Sequence, residues 1–268
     1  DVLGFPANTF SLDDLNNYNQ KLTSALLDLD NTTQLGIANS IWIEEGFKVY
    51  DSFVDVNKKM YDAQVQELDF TSPTAKDVIN QWCATQTNNC IKEVIQEIPA
   101  DVRMYLINAL YFKGIWKSQF DKSATGHDNF TNVDGSQQKV AMMNQTATFN
   151  YTQTDDFSIA ELPYGNEAFS MVILLPSGDK TLNESLPSLN YENWKQWSKN
   201  MVRKELQIKL PRFKVEYDKE LEEDMIVMGM KDAFDAYKAK FANMSGAELY
   251  IGLLQQFTYI NVDEEGTE

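Results

Sequence analysis

An α+β fold built around a large sheet is what this sequence predicts, and three observations predict it. Strand-like and helix-like segments are mixed along the chain without a strict β-α-β-α alternation. The 268 residues are 43% hydrophobic and 12% aromatic, enough to bury a sizeable core. No Pro/Gly/Ser-rich tract interrupts the apolar periodicity, so a single domain over 1–268 is expected, and no repeat period shows itself.

The elements follow in order. Behind Ser11, whose hydroxyl can cap the first free amides, Leu15, Tyr18, Leu22, Leu26 and Leu27 recur at three- and four-residue intervals, so a surface helix is expected over 12–29. QLGIANSIWI at 34–43 reads as a strand, closed by Glu44-Glu45-Gly46. A second helix carries Val49, Phe53, Val56 and Met60 on one face. QVQELDF at 64–70 alternates with period two, and Ser72-Pro73 starts a helix with Val78 and Trp82, divided by Asn88-Asn89 from Ile91, Val94 and Ile95. VRMYLINALYF at 102–112 is an almost unbroken β-prone run, expected at the centre of a large sheet. Shorter strands are expected at 139–143, 148–152, 157–164 and 169–176, with Gly165-Asn166 turning the last two into a hairpin. A helix over 190–200, one long strand over KELQIKLPRFKVEY, a helix with Met225, Met228 and Phe234, and a strand over 249–262 complete the reading.

Composition excludes several functions. With 23 Lys and Arg against 40 Asp and Glu, the formal charge of −17 repels phosphate backbones and anionic lipid. Neither nucleic acid nor a membrane surface is an expected partner. No run of eighteen apolar residues occurs, and Asp1 to Pro6 do not form a signal peptide. The one histidine, His127, lies in a polar, loop-like stretch, and there is no G-x-S-x-G elbow, P-loop, G-x-G-x-x-G or Cys/His metal spacing. No metal or cofactor is expected. Adjacent acids at Asp155-Asp156 and Glu222-Glu223 read as solvated surface, and Met225, Met228 and Met230 as core packing. Cys83 and Cys90 would stand about 10.5 Å apart on one continuous helix, beyond disulfide reach, so a bridge requires a break at Asn88-Asn89; bridged and free thiols both stay open. Six N-x-S/T triplets, at Asn31, Asn129, Asn144, Asn150, Asn183 and Asn243, are glycan acceptors in a secretory pathway and chance products otherwise.

Several segments, in order, resemble those of the serpin family: IANSIWI at 37–43, NALYFKGIW at 108–116, FSIAELPY and FSMVILLP, LPRFKVEY at 210–217, GMKDAF at 229–234 and, most specifically, YINVDEEGTE at 259–268. The resemblance spans essentially the whole chain. It implies a serpin fold, a large central mixed sheet with two smaller sheets and surrounding helices. It also implies a chain incomplete at both ends, lacking N-terminal helices, the reactive-centre loop and the last strands.

The activity implied is suicide inhibition of serine or cysteine endopeptidases. The cleaved loop enters the central sheet as a new strand and drags the acyl-enzyme with it. A non-inhibitory carrier, chaperone or storage protein is the alternative; neither is an enzyme. By the resemblance, Glu264, Glu265, Gly266, Thr267 and Glu268 form the reactive-loop hinge, with Gly266 relieving the backbone at the fold-back and Thr267 small enough to enter a sheet. The breach at the top of the opening comprises Trp116 and Arg212, the latter paired with Glu264. The shutter comprises Asn108 and Gln256 on the two central strands, Gln256 standing where the family usually has a histidine. The helix over 12–29 has Lys21 as its one cation, so no heparin binding is expected. A monomer in an extracellular, periplasmic or cell-surface setting is implied.

Overall fold

The structure, a computed structural model, describes residues 9–268. The reading of Asp1 to Pro6 lies outside the described residues. Ser11 caps α1 (Leu12–Leu27) as expected: its hydroxyl accepts from Asp14 N while the Asp14 carboxylate accepts from Ser11 N. The helix is a surface one, with Leu12, Tyr18, Leu22 and Leu27 exposed and Asn16 buried against the Tyr61 hydroxyl.

Two compact units emerge. Of the described residues, unit 1 takes 9–29, 35–111 and 215–259; unit 2 takes 30–34, 112–214 and 260–268. Unit 1 packs Trp42, Phe70, Ile79, Trp82, Cys83, Ile95 and Ala109 into one core. In it, β1 (Gln34–Glu44) pairs in parallel with β2 (Ala63–Leu68), which follows α2 (Asp51–Tyr61), and α3 (Ala75–Gln86) supplies Ile79, Trp82 and Cys83. That helix ends where expected: Asn88 and Asn89 take positive φ of 50° and 63°, a left-handed conformation that Asn tolerates, and no helix resumes at Ile91. Cys83 and Cys90 are not bridged to each other, and burial pushes the Cys83 thiol up to about 11.

Unit 2 holds an antiparallel sheet in which β4 (Gly126–Thr131), β5 (Gln137–Gln153), β6 (Phe157–Pro163) and β7 (Ser170–Pro176) are neighbours in that order, and β8 (Val202–Pro211) also pairs with β5. Helices α4 (Leu182–Ser185) and α5 (Tyr191–Lys199) lie between β7 and β8 in the chain. Its main core gathers Trp116, Phe120, Met143, Phe149, Leu162, Tyr164, Leu210 and Val262. A smaller one joins Phe157, Ile159 and Trp197.

The other sheet has six strands in the order β2-β1-β3-β11-β10-β9. Its strands β3 (Met104–Ile115) and β10 (Gln255–Val262) each continue from unit 1 into unit 2. The remaining members are β9 (Phe213–Glu220) and the two-residue β11 (Gly266–Thr267).

Five local expectations are corrected. The strands expected at 139–143 and 148–152 are one, because β8 hydrogen-bonds β5 without a break from Met142 to Tyr151 and carries polar Asn144 and Gln145 along. The single strand expected over 204–217 is two, β8 and β9, in different sheets; Pro211 has no N–H to donate, and the Arg212 N–H turns to Ala141 O. The stretch around His127 is β4 rather than loop, exposed throughout, its polar residues facing solvent on an edge strand. The helix at Met225 is the short α6 (Glu222–Val227), ended by Gly229 at φ 112°, which leaves Met228 exposed and outside any core, with Phe234 in a separate 3₁₀ turn. The strand expected from 249 begins at Gln255, since Ile251 N donates sideways to Ala233 O and bends the chain at Gly252.

Candidate functional site: a hinge strand and its clamp

The site is built in unit 2 from the ends of β3 and β10 and the last five residues. β10 ends at Val262, and Asp263 makes the reversal: its Oδ1 accepts from the N–H groups of Glu265 and Gly266 at 2.8 and 3.1 Å, a side-chain-closed turn for which aspartate is suited. The returning strand β11 is antiparallel to both neighbours, with Val262 opposite Thr267 on one side and Ile115 and Gly114 opposite Gly266 and Thr267 on the other. Glu268 extends the hairpin, exchanging backbone hydrogen bonds with Asn261 at 2.6 and 2.8 Å. Gly266 and Thr267, within the candidate hinge 264–268, therefore lie as a strand between β3 and β10.

Gly266 is needed for a reason other than the one its place at a reversal suggests. Its φ is not positive; instead, a Cβ on it would fall 2.0 Å from the Gly114 carbonyl oxygen. Gly114 is itself pressed on the other side, where a Cβ would meet the Tyr164 ring at 2.8 Å. The Gly114 backbone is thus held between Gly266 and the Tyr164 ring.

Trp116 holds the turn at two points. Its backbone N–H donates to Glu265 O and its indole Nε1–H to Asp263 O, both at 2.9 Å, while its ring stacks on Tyr164 at 4.5 Å. Tyr164 in turn donates its hydroxyl to Thr267 Oγ1 at 2.6 Å, in a setting whose burial pushes its pKa up to about 12.

Glu264 is 3% exposed, and its backbone carbonyl accepts from Phe120 N–H at 3.0 Å. Its Oε1 accepts from the Thr125 hydroxyl at 2.8 Å, whereas Arg212 approaches Oε2 only to 3.7 Å and is half exposed. Burial raises the Glu264 pKa, but the Thr125 hydroxyl, the residue's own N–H, Arg212 and Lys122 outweigh it and hold the carboxyl below its ordinary value. Glu265 pairs with Lys122, whose hydrogen bond and charge lower its pKa, and Glu268 lies 3.6 Å from Lys113. A cavity of about 490 Å³ opens here, lined by Lys122, Thr125, His127, Arg212, Asp263 and Glu264 among others.

The structure thus brings Trp116, Arg212 and all five candidate hinge residues, 264–268, into one site. The shutter candidates lie in unit 1, both exposed: Asn108 donates to Asn39 Oδ1 at 2.9 Å and to Ala38 O at 3.4 Å on β1, and Gln256 is in β10. Sequence reasoning missed Gly114, Thr125, Lys122, Asp263 and Tyr164. A glycine inside a β-prone run is a signal for close backbone approach and marks Gly114, and an aspartate before a glycine-containing turn marks Asp263; Thr125, Lys122 and Tyr164 carry no local signal.

A family model described as serpin (serine protease inhibitor) matches residues 1–268, and the chain belongs to the serpin family. Human serpin B7 is 37% identical over 243 residues, covering 87% of this chain and 63% of its own length. A serpin-like protein of Methanosarcina acetivorans is 33% identical over 273 residues, covering 100% of this chain and again 63% of its own length. Among solved structures, native protease nexin-1 with heparin superposes with a TM-score of 0.89 at 29% identity, covering 100% of this chain and 74% of that one. Tengpin, a thermophilic serpin in its latent state, gives 0.88 at 32%, covering 97% and 71%. The chain spans less than two thirds, 63%, of the length of each of the two curated relatives.

Proposed function

We propose that this chain forms the body of a suicide inhibitor of serine or cysteine endopeptidases, and that 264–268 is the hinge from which a cleaved reactive loop enters the six-stranded sheet. One observation carries the reading: Thr267 is paired on both sides, with Gly114 of β3 and Val262 of β10, and Gly266 with Ile115 of β3, so a strand extending beyond Glu268 has two edges to pair with. Trp116, Arg212 and Glu264 act as the breach, which holds the turn, and Asn108 with Gln256 as the shutter on the two strands that must part. The protein works as a monomer without metal or cofactor, in an extracellular, periplasmic or cell-surface setting.

Protease nexin-1 was solved with heparin, but heparin activation is not proposed here, because α1 carries Asp13 and Asp14 in its first turn and no cation in its last. A heparin titration of the inhibition rate should be flat; acceleration would refute this point alone.

The deciding experiment mixes the full-length protein with trypsin-, chymotrypsin-, elastase- and papain-like proteases. An SDS-stable complex, and a large rise in Tm after loop cleavage, are expected. Cleavage with neither outcome would make the protein a non-inhibitory carrier, chaperone or storage serpin.

A further inference from the structure

A buried carboxylate stands in unit 2 away from the hinge residues. Asp30, 4% exposed, accepts at Oδ1 from Thr32 N (2.8 Å) and Thr32 Oγ1 (2.6 Å), and at Oδ2 from Thr33 Oγ1 (2.7 Å). The backbone N–H of Asn166 also donates to it. Burial alone would raise its pKa; the four hydrogen bonds prevail and bring it to about 2, so the group is an anion throughout the neutral range.

The hairpin turn between β6 and β7 is pressed directly onto this anion. Gly165, at φ 38°, has no room for a side chain: a Cβ would lie 2.1 Å from Thr32 Oγ1 and 2.7 Å from Asp30 Oδ2. Glu167 sits at φ 76°, a conformation a non-glycine residue keeps only where its surroundings enforce it. This is unlike the exposed carboxylate of Asp134, which closes a local turn with Ser136 at 2.9 and 2.6 Å.

Tyr164, which begins the strained turn, is also the residue whose ring stacks on Trp116 and whose hydroxyl donates to Thr267. Trp116 in turn grips the carbonyls of Asp263 and Glu265. We infer that Asp30 is a positioning residue for the hinge: by locking the 164–167 turn onto the 30–33 turn, it fixes the Tyr164 ring and hydroxyl against which Thr267 docks. Asp30 touches no hinge residue itself and acts through Tyr164.

The proposal rests on reading 264–268 as the hinge, but its test needs no protease, so failure to trap one would leave the test intact. Amide hydrogen exchange of the uncleaved full-length protein is compared for wild type, Asp30→Asn, Tyr164→Phe and the double variant, with Asp134→Asn as control. Asn keeps the size of Asp30 but loses the charge and one acceptor, so exchange in the 264–268 peptide should quicken about tenfold, the scale of one hydrogen bond lost. Tyr164→Phe should quicken it similarly, the double variant no further, and Asp134→Asn not at all. Should Asp30→Asn fail to fold, Thr33→Val, which removes one bond to Oδ2, takes its place in the same cycle. Faster exchange confined to 30–34 and 164–167, a uniform rise over unit 2, or additive effects of the two substitutions would each overturn the inference.

Discussion

Strand β3 passes through two settings that place opposite demands on its residues. In unit 1, alternate residues Leu106, Asn108 and Leu110 are exposed on one face, and Asn108 satisfies its amide on the neighbouring β1. In unit 2 the same strand ends in Gly114 and Ile115, where β11 is seated so closely that Gly266 admits no side chain, and the Tyr164 ring leaves no room for one on Gly114. A polar group costs little in the first setting, because solvent remains available to it. In the second, a carboxylate such as Glu264 needs its partners built in. Strength should therefore concentrate at the hinge end, and substitutions can test that gradient.

The largest effect is expected from Gly266→Ala. A Cβ 2.0 Å from a backbone oxygen cannot be absorbed by a side-chain rotation, so β11 must leave its register, at a cost of about 3 kcal/mol, the upper part of the usual range for overpacking. Urea unfolding together with amide exchange at 266–268 would check this; a loss under about 0.5 kcal/mol would show that the hinge end is pliable. Next comes Thr125→Val, which strips a 2.8 Å donor from the buried Glu264 carboxylate and should cost about 1.5–3 kcal/mol. Arg212→Ala should cost only about 0–1 kcal/mol, because a half-exposed guanidinium at 3.7 Å is a weak, solvent-screened partner. If Arg212→Ala proved the costlier, charge rather than the hydroxyl would hold Glu264.

The pH dependence sharpens the same contrast. Glu264 has a folded-state pKa below its ordinary 4.5, so its contribution is fully present above 4.5 and is lost as pH falls through the lowered value. Glu264→Gln should thus flatten part of the stability fall that wild type shows on acidification below about pH 4.5, when urea midpoints are compared from pH 7 down to pH 3. Asn108→Ala should be as mild as Arg212→Ala in urea unfolding, since its exposed hydrogen bond to Asn39 is worth about 0.5–1 kcal/mol.

Local chemistry made much of this legible in advance. The Ser11 cap, the break at Asn88-Asn89 and the Gly165-Asn166 turn are each set by residues within a few positions, and the structure has all three. Where propensity met a long-range partner, the partner prevailed. β5 runs on through Asn144 and Gln145 because β8 supplies a ladder there, and β4 forms from a polar stretch because β5 offers an edge. The site divides in the same way. The hinge candidates, Trp116 and Arg212 are picked out by the resemblance to a known family, whereas Thr125 and Tyr164 are known to matter only because they meet Glu264 and Thr267 across 139 and 103 residues of chain.

Taken alone, the sequence determined the family, the mixed α+β character, the acidic composition and a glycine-containing segment at 264–268. Those depend on composition, short-range periodicity and residue order. Only the tertiary structure decided why Gly266 must be glycine, which group satisfies the buried Glu264, and that Asp30 bears on the turn holding Tyr164. Each of these is a question of which atoms occupy the few ångströms around a group, and such neighbours come from distant segments whose meeting leaves no periodic trace in the chain.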